Sequence, residues 1–183
     1  MLADADDSVL LIVDLQTRLT AAMDAGERER VNASTAMLAR GGGELDIPVI
    51  VTRQYPQGLG DTDPAVAEAL PDWAVTLDKT RFSAAGDPGI ADALRMTGRR
   101  QVVLCGMEAH VCVLQTALEL VAASYTVFVI ADGICSRNPD HAAGACARLR
   151  SAGVTVTNRE SVLFEWLRDA AHPSFRTVSG LLK

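Results

Sequence analysis

Six short stretches of aliphatic and β-branched residues, each leading through a polar turn into another pattern, constrain this chain most. They are Val9–Val13, Pro48–Thr52, Ala74–Leu77 (the weakest), Gln101–Cys105, Thr126–Ile130 and Val154–Thr157. None alternates strictly between apolar and polar, and continuous apolar runs of this length read as strands buried on both faces. Helical patterns lie between them. Arg28–Arg40 runs up to Gly41-Gly42-Gly43, which reads as a strong stop. Asp87-Pro88 and Asn138-Pro139 each place a capping side chain before a proline at the first helical position. Leu114, Ala117, Leu118 and Val121 mark one face of a helix from about His110 to Ala123. Shorter helices are predicted at Ser161–Arg168 and Ser174–Leu182. Strands alternating with helices predict a doubly wound, Rossmann-like α/β fold, with a mostly parallel sheet of about six strands covered on both faces.

With 183 residues, 49% hydrophobic and 22% charged, the chain reads as one globular domain over residues 1–183. A net charge of −6, with Arg99-Arg100 as the only dense basic pair, argues against nucleic acid as a partner. The longest stretch without Asp, Glu, Lys or Arg, Leu120–Ala131, is too short to span a bilayer. The acidic start Asp4-Ala5-Asp6-Asp7 lacks the positive opening of a secretion signal, so a cytoplasmic location is expected. In that compartment the four cysteines at 105, 112, 135 and 146, with no CxxC spacing, are expected to be unbridged. The histidines at 110, 141 and 172 are too scattered to suggest a metal site. No Gly-x-Gly-x-x-Gly or P-loop motif is present, so no cofactor is expected.

In doubly wound sheets, ligands bind beyond the carboxyl ends of the strands. Asp14 follows the first run, Lys79 the third, and Cys112 opens a helix after the fourth. Separately these residues read as a turn acid, a solvated lysine and a small core residue. Together they compose a base, a cation and a nucleophile. Cys112 in the first turn of a helix, with Lys79 beside it, is expected to favour the thiolate, opposed by Asp14 when ionised. Asp14 is the expected general base, and free backbone N–H groups at the helix start are oxyanion donors.

Three motifs identify the family. They are Leu11-Ile12-Val13-Asp14-Leu15-Gln16, then Asp78-Lys79-Thr80-Arg81-Phe82-Ser83-Ala84, then Gly106-Met107-Glu108-Ala109-His110-Val111-Cys112-Val113. In this order, over nearly the whole chain, they resemble the isochorismatase-like cysteine hydrolases. The resemblance implies that Asp14, Lys79 and Cys112 form an Asp-Lys-Cys triad. It also implies a non-proline cis peptide at Met107–Glu108, which would turn the Glu108 N–H toward an oxyanion beside that of Cys112. Nicotinamidases of the superfamily hold a metal through histidines after the second strand. Thr52-Arg53-Gln54-Tyr55-Pro56-Gln57-Gly58-Leu59-Gly60 contains none. The expectation is therefore metal-independent hydrolysis of a small amide or related carbonyl compound through a thioester. The alternatives are a thiol redox sensor and an oligomeric scaffold with vestigial chemistry.

Gln16, Tyr55, Phe82 and His110 are candidate substrate-binding residues. Tyr55 and Phe82 could equally belong to the core or an interface, and His110 could face solvent or a neighbouring subunit. Asp132, Ser136 and Arg137 are expected to brace their loop. Cys105 and Cys146 read as inert packing and Cys135 as a loop thiol open to exposure. Val178–Leu182 finds no core partner in the sequence and is assigned to a subunit contact, with a homo-oligomer expected.

Overall fold

The structure, a computed structural model, describes residues 1–182. A six-stranded sheet holds β1 (Ser8–Val13), β2 (Val49–Gln54), β3 (Val75–Lys79), β4 (Gln101–Met107), β5 (Thr126–Cys135) and β6 (Thr155–Thr157). All pairs are parallel, in the order β3-β2-β1-β4-β5-β6. The chain starts in the middle, winds outward to β3, then crosses back to lay β4 on the free side of β1. The carboxyl ends of β1 and β4 thus face one another where the winding reverses.

Every residue of β1 is buried. Leu10 and Ile12 join the core on one face, and Val9, Leu11 and Val13 that on the other, as the two-residue period of a strand requires. On the first face lie α2 (Ala25–Glu44), α8 (Arg159–Leu167) and α9 (Phe175–Gly180). The second face is covered by α5 (Pro88–Met96), α6 (Leu114–Ala122) and α7 (Pro139–Ser151). Short helices α1 (Thr17–Thr20), α3 (Pro56–Leu59) and α4 (Pro64–Ala67) follow the ends of β1 and β2. Asp87 and Asn138 cap α5 and α7 as their sequence positions predict.

Three expectations are corrected. The helix over Arg28–Arg40 does not stop at the glycine triplet but continues to Glu44. A Cβ on Gly41 would sit 2.4 Å from Leu163, so the glycines let α2 approach α8 closely, and this packing outweighs their poor propensity. The segment Val178–Leu182 needs no partner subunit: Val178 is fully buried in the first core and Leu182 packs against it. Cys135 is a buried residue at the end of β5, which continues past Ile130 through a register irregularity opposite Leu104 and Gly106.

Candidate active site

The carboxyl ends of β1, β3 and β4 bring Asp14, Lys79 and Cys112 into one cluster. Asp14 leaves β1 with a left-handed φ of 54°, which turns its carboxylate away from the sheet ladder. The next strand approaches closely: a Cβ on Gly106 would lie 2.0 Å from the Val13 carbonyl oxygen. Only glycine fits there, and its φ of 134° supplies the backbone path into the turn that carries Cys112. The Met107–Glu108 peptide is cis, at the position the family resemblance implies. Cys112 lies in a short π-helical turn, Ala109–Val113, that runs into α6, so the helix begins irregularly around the thiol.

Lys79 donates from Nζ to Asp14 Oδ2 at 2.6 Å, and both side chains are fully buried. The same ammonium donates to Gln54 Oε1 at 2.8 Å and lies 3.1 Å from the carbonyls of Arg81 and Phe82. Thr52 Oγ1 donates to Asp14 Oδ1 at 2.8 Å, and the Cys112 thiol lies near enough to feel the Asp14 charge. The carboxylate therefore meets a cation and a hydroxyl, with a thiol nearby, all positioned by backbone at strand ends.

Burial raises the Asp14 carboxyl above its ordinary range, against the opposing charge and hydrogen bond of Lys79. Burial and the Asp14 charge together push the Cys112 thiol up to about 12. This corrects the expected thiolate: at rest the sulfur carries its proton. Lys79 pulls the other way, but its charge is already matched by Asp14.

The remaining predicted residues separate. Gln16 is fully buried. Its amide donates to the carbonyls of Gln54 and Gly60 and accepts from the Gln54 N–H, so its polar atoms stitch loops together and are closed to solvent. Tyr55 and Phe82 are over half exposed, which excludes the core alternative for both. They flank the lysine: the Tyr55 N–H donates to the Lys79 carbonyl, and the Phe82 carbonyl accepts from its Nζ. His110 is half-buried, with Nδ1 2.9 Å from Ser136 Oγ and its ring centroid 4.7 Å from that of His141. Asp132 pairs with Arg159, and Arg137 with Glu108.

Sequence reasoning missed Thr52 and Gln54. Two residues apart, they share one face of β2, and Thr52 lies in register with Val13, next to Asp14. The spacing was readable, but the register was not. Among the described residues, no group of three or more His, Cys, Asp or Glu side chains is placed to hold a metal ion.

The Isochorismatase domain family model matches residues 8–161. The chain belongs to the isochorismatase family. It is 35% identical over 176 residues to isochorismatase domain-containing protein 2 of Danio rerio, covering 96% of this chain and 86% of that one. It spans about half, 51%, of isochorismatase domain-containing protein 1 of Salmo salar, at 39% identity over 147 residues. Among solved structures, the MAR1 ribonuclease of Caenorhabditis elegans superposes with a TM-score of 0.93 at 32% identity, over 100% of this chain and 92% of that one. YcaC from Pseudomonas aeruginosa, solved with hexane-2,5-diol and covalent acrylamide, gives 0.87 at 26% identity, over 98% and 91%. The isochorismatase-family fold is that of a hydrolase.

Proposed function

We propose that this family member is a metal-independent cysteine hydrolase acting on the carbonyl carbon of a small amide or related compound. One observation carries the reading: an acid and a lysine, hydrogen-bonded to each other, and a cysteine within reach of their charges come together from three strand ends in one buried cluster. No packing purpose is served by burying an ion pair against a thiol, and apolar residues of similar volume would do as well or better.

The steps follow from where the protons rest. Asp14 takes the proton from the Cys112 thiol as the sulfur attacks the substrate carbonyl, so a C–S bond forms while the carbonyl π electrons move to oxygen. The backbone N–H groups of Glu108 and Cys112 are the proposed donors to that oxyanion. Collapse breaks the C–N bond, and the amine leaves with the proton held by Asp14. A water molecule then gives its proton to Asp14 and attacks the thioester. The acid departs, and the proton returns to sulfur. Lys79 balances the charge on Asp14 and fixes which oxygen faces the thiol. A high-lying thiol suits this scheme, because the nucleophile is generated only when a base and an electrophile are both in place.

The covalent acrylamide in P. aeruginosa YcaC supports a reactive nucleophile in a relative, since acrylamide is an electrophile. The raised thiol argues against the redox-sensor alternative, which needs a low-lying one. The C. elegans neighbour is named a ribonuclease, but a net charge of −6 here opposes the approach of a polyanion. Tyr55 and Phe82, exposed beside the site, support aromatic contact with substrate or with a second copy in a homo-oligomer.

The deciding experiment is an ammonia-release screen over small amides, ureides and hydroxamates, with wild type beside Cys112→Ala. Turnover by wild type alone supports the proposal; turnover retained in Cys112→Ala removes the covalent route.

A further inference from the structure

We infer that Arg137 is a positioning residue for the turn that carries Cys112, acting through the carboxylate of Glu108. The inference rests on the reading of Cys112 as the nucleophile and adds a part that the reaction scheme does not contain.

Among the described residues, every donor on the Glu108 carboxylate comes from Arg137. Its backbone N–H and its Nε donate to Oε2 at 3.0 and 3.1 Å, and its Nη2 donates to Oε1 at 3.1 Å. This is a bidentate guanidinium grip with a third bond from the same residue's backbone, a geometry that fixes orientation as well as distance. The pair is lopsided: the Glu108 side chain is 8% exposed, the Arg137 side chain 65%. An ion pair between two exposed side chains would carry little meaning. Here the charge being held is inside, and losing its donors would leave it there.

The held residue in turn holds the nucleophile's backbone. The Glu108 carbonyl accepts from the N–H of Val111 at 3.1 Å and of Val113 at 3.3 Å, the two residues on either side of Cys112. A path of direct hydrogen bonds therefore runs from Arg137 through Glu108 to both neighbours of the thiol. A second strap lies next to the first: Ser136 Oγ meets His110 Nδ1 at 2.9 Å, and His141 from the first turn of α7 stacks obliquely on that ring. The segment Ser136–Arg137, between β5 and α7, thus ties down the turn at positions 108 and 110. Burial alone would raise the Glu108 carboxyl, but the guanidinium and N–H of Arg137 hold it below the ordinary carboxylate range, so the grip is in place at neutral pH.

The thiol must stay aligned on Asp14 to lose its proton, and small misplacements of reacting groups are expensive in rate. The test follows alkylation of Cys112 by iodoacetamide at neutral pH by peptide mapping, with half-buried Cys146 in the same sample as internal standard, alongside thermal melts. Arg137→Ala should slow Cys112 at least about tenfold and leave Cys146 unchanged. Arg137→Lys should recover part of the rate, and carries the test if the alanine variant does not fold. In Glu108→Gln/Arg137→Ala the unpaired buried charge is gone, so the melting temperature should recover while the Cys112 rate should not. A purely structural role predicts that rate and melting temperature recover together, and that result overturns the inference. So does an unchanged or faster Cys112 rate in Arg137→Ala, while Asp14-dependent labelling in wild type would leave the nucleophile reading standing. If wild-type Cys112 shows no Asp14-dependent labelling, both readings fall.

Discussion

Replacing Lys79 by methionine would leave the Asp14 carboxylate fully buried, with only the Thr52 hydroxyl observed as a side-chain donor. Removing one partner of a buried pair costs about 3–5 kcal/mol. The carboxyl has an escape, which sets a ceiling. It can take up a proton, at about 1.36 kcal/mol per pH unit above its ordinary value. From 3.8 to pH 7 that is about 4 kcal/mol. The loss at pH 7 should therefore lie near 3–4 kcal/mol, a fall in melting temperature of roughly 10 °C for a chain of this length. The pH dependence has a definite sign. Without Lys79 the Asp14 pKa in the folded state is raised still further above its unfolded value. The associated stability is then present below pH 3.8 and is lost as pH rises through the folded value. The deficit relative to wild type should shrink steadily from pH 8 toward pH 4. Urea denaturation of both proteins across that range measures it. Asp14→Asn/Lys79→Met, with no charge left to bury, should regain most of the stability and none of the activity. A deficit below about 1 kcal/mol at pH 7, or one that does not vary with pH, would refute the picture of a desolvated ion pair.

Glycine to alanine changes should split by position. Gly144→Ala, on the open side of α7 with nothing within 4 Å, should stabilise by about 0.5–1 kcal/mol in urea melts. Gly41→Ala drives a methyl against the fully buried Leu163 and should destabilise by about 1–2 kcal/mol despite better helix propensity. The cysteines should differ in the pH profile of iodoacetamide labelling. Cys146 should follow its thiolate fraction, about tenfold per pH unit, while the Cys112 profile should be flatter and should change in Asp14→Asn, which removes both the base and the charge that raises the thiol. Equal slopes would count against Asp14 as base. Cys105, Cys112 and Cys135 are all raised from 9.0 to about 12, chiefly by burial. Their contribution to stability is present below pH 9 and lost between pH 9 and about 12, so equilibrium unfolding should show falling stability across that window.

The order of strands and helices was readable along the chain because both kinds of element are written locally, in apolar runs, caps and prolines. The clustering of the three candidate residues was readable for a related reason. In a parallel sheet every strand ends at the same edge, so Asp14, Lys79 and the turn before Cys112 had to converge once the strands were placed. Register was not written locally. That Thr52 and Gln54 reach Asp14 and Lys79 depends on how β2 lies against β1 and β3, and sliding it one residue would turn both side chains to the other face. Gln16 stood in the right place in the sequence, yet its amide is turned into the loops after β2. The glycine triplet in α2 reads as a stop until Leu163, more than 100 residues away, occupies the space a side chain would need. The resting state of Cys112 was decided by tertiary structure alone. A helix start and a nearby lysine favour a thiolate, but desolvation depends on every atom that excludes water, and here it outweighs both. Residue types and their spacing determined which groups meet; their protonation and orientation followed from packing between segments distant in the chain.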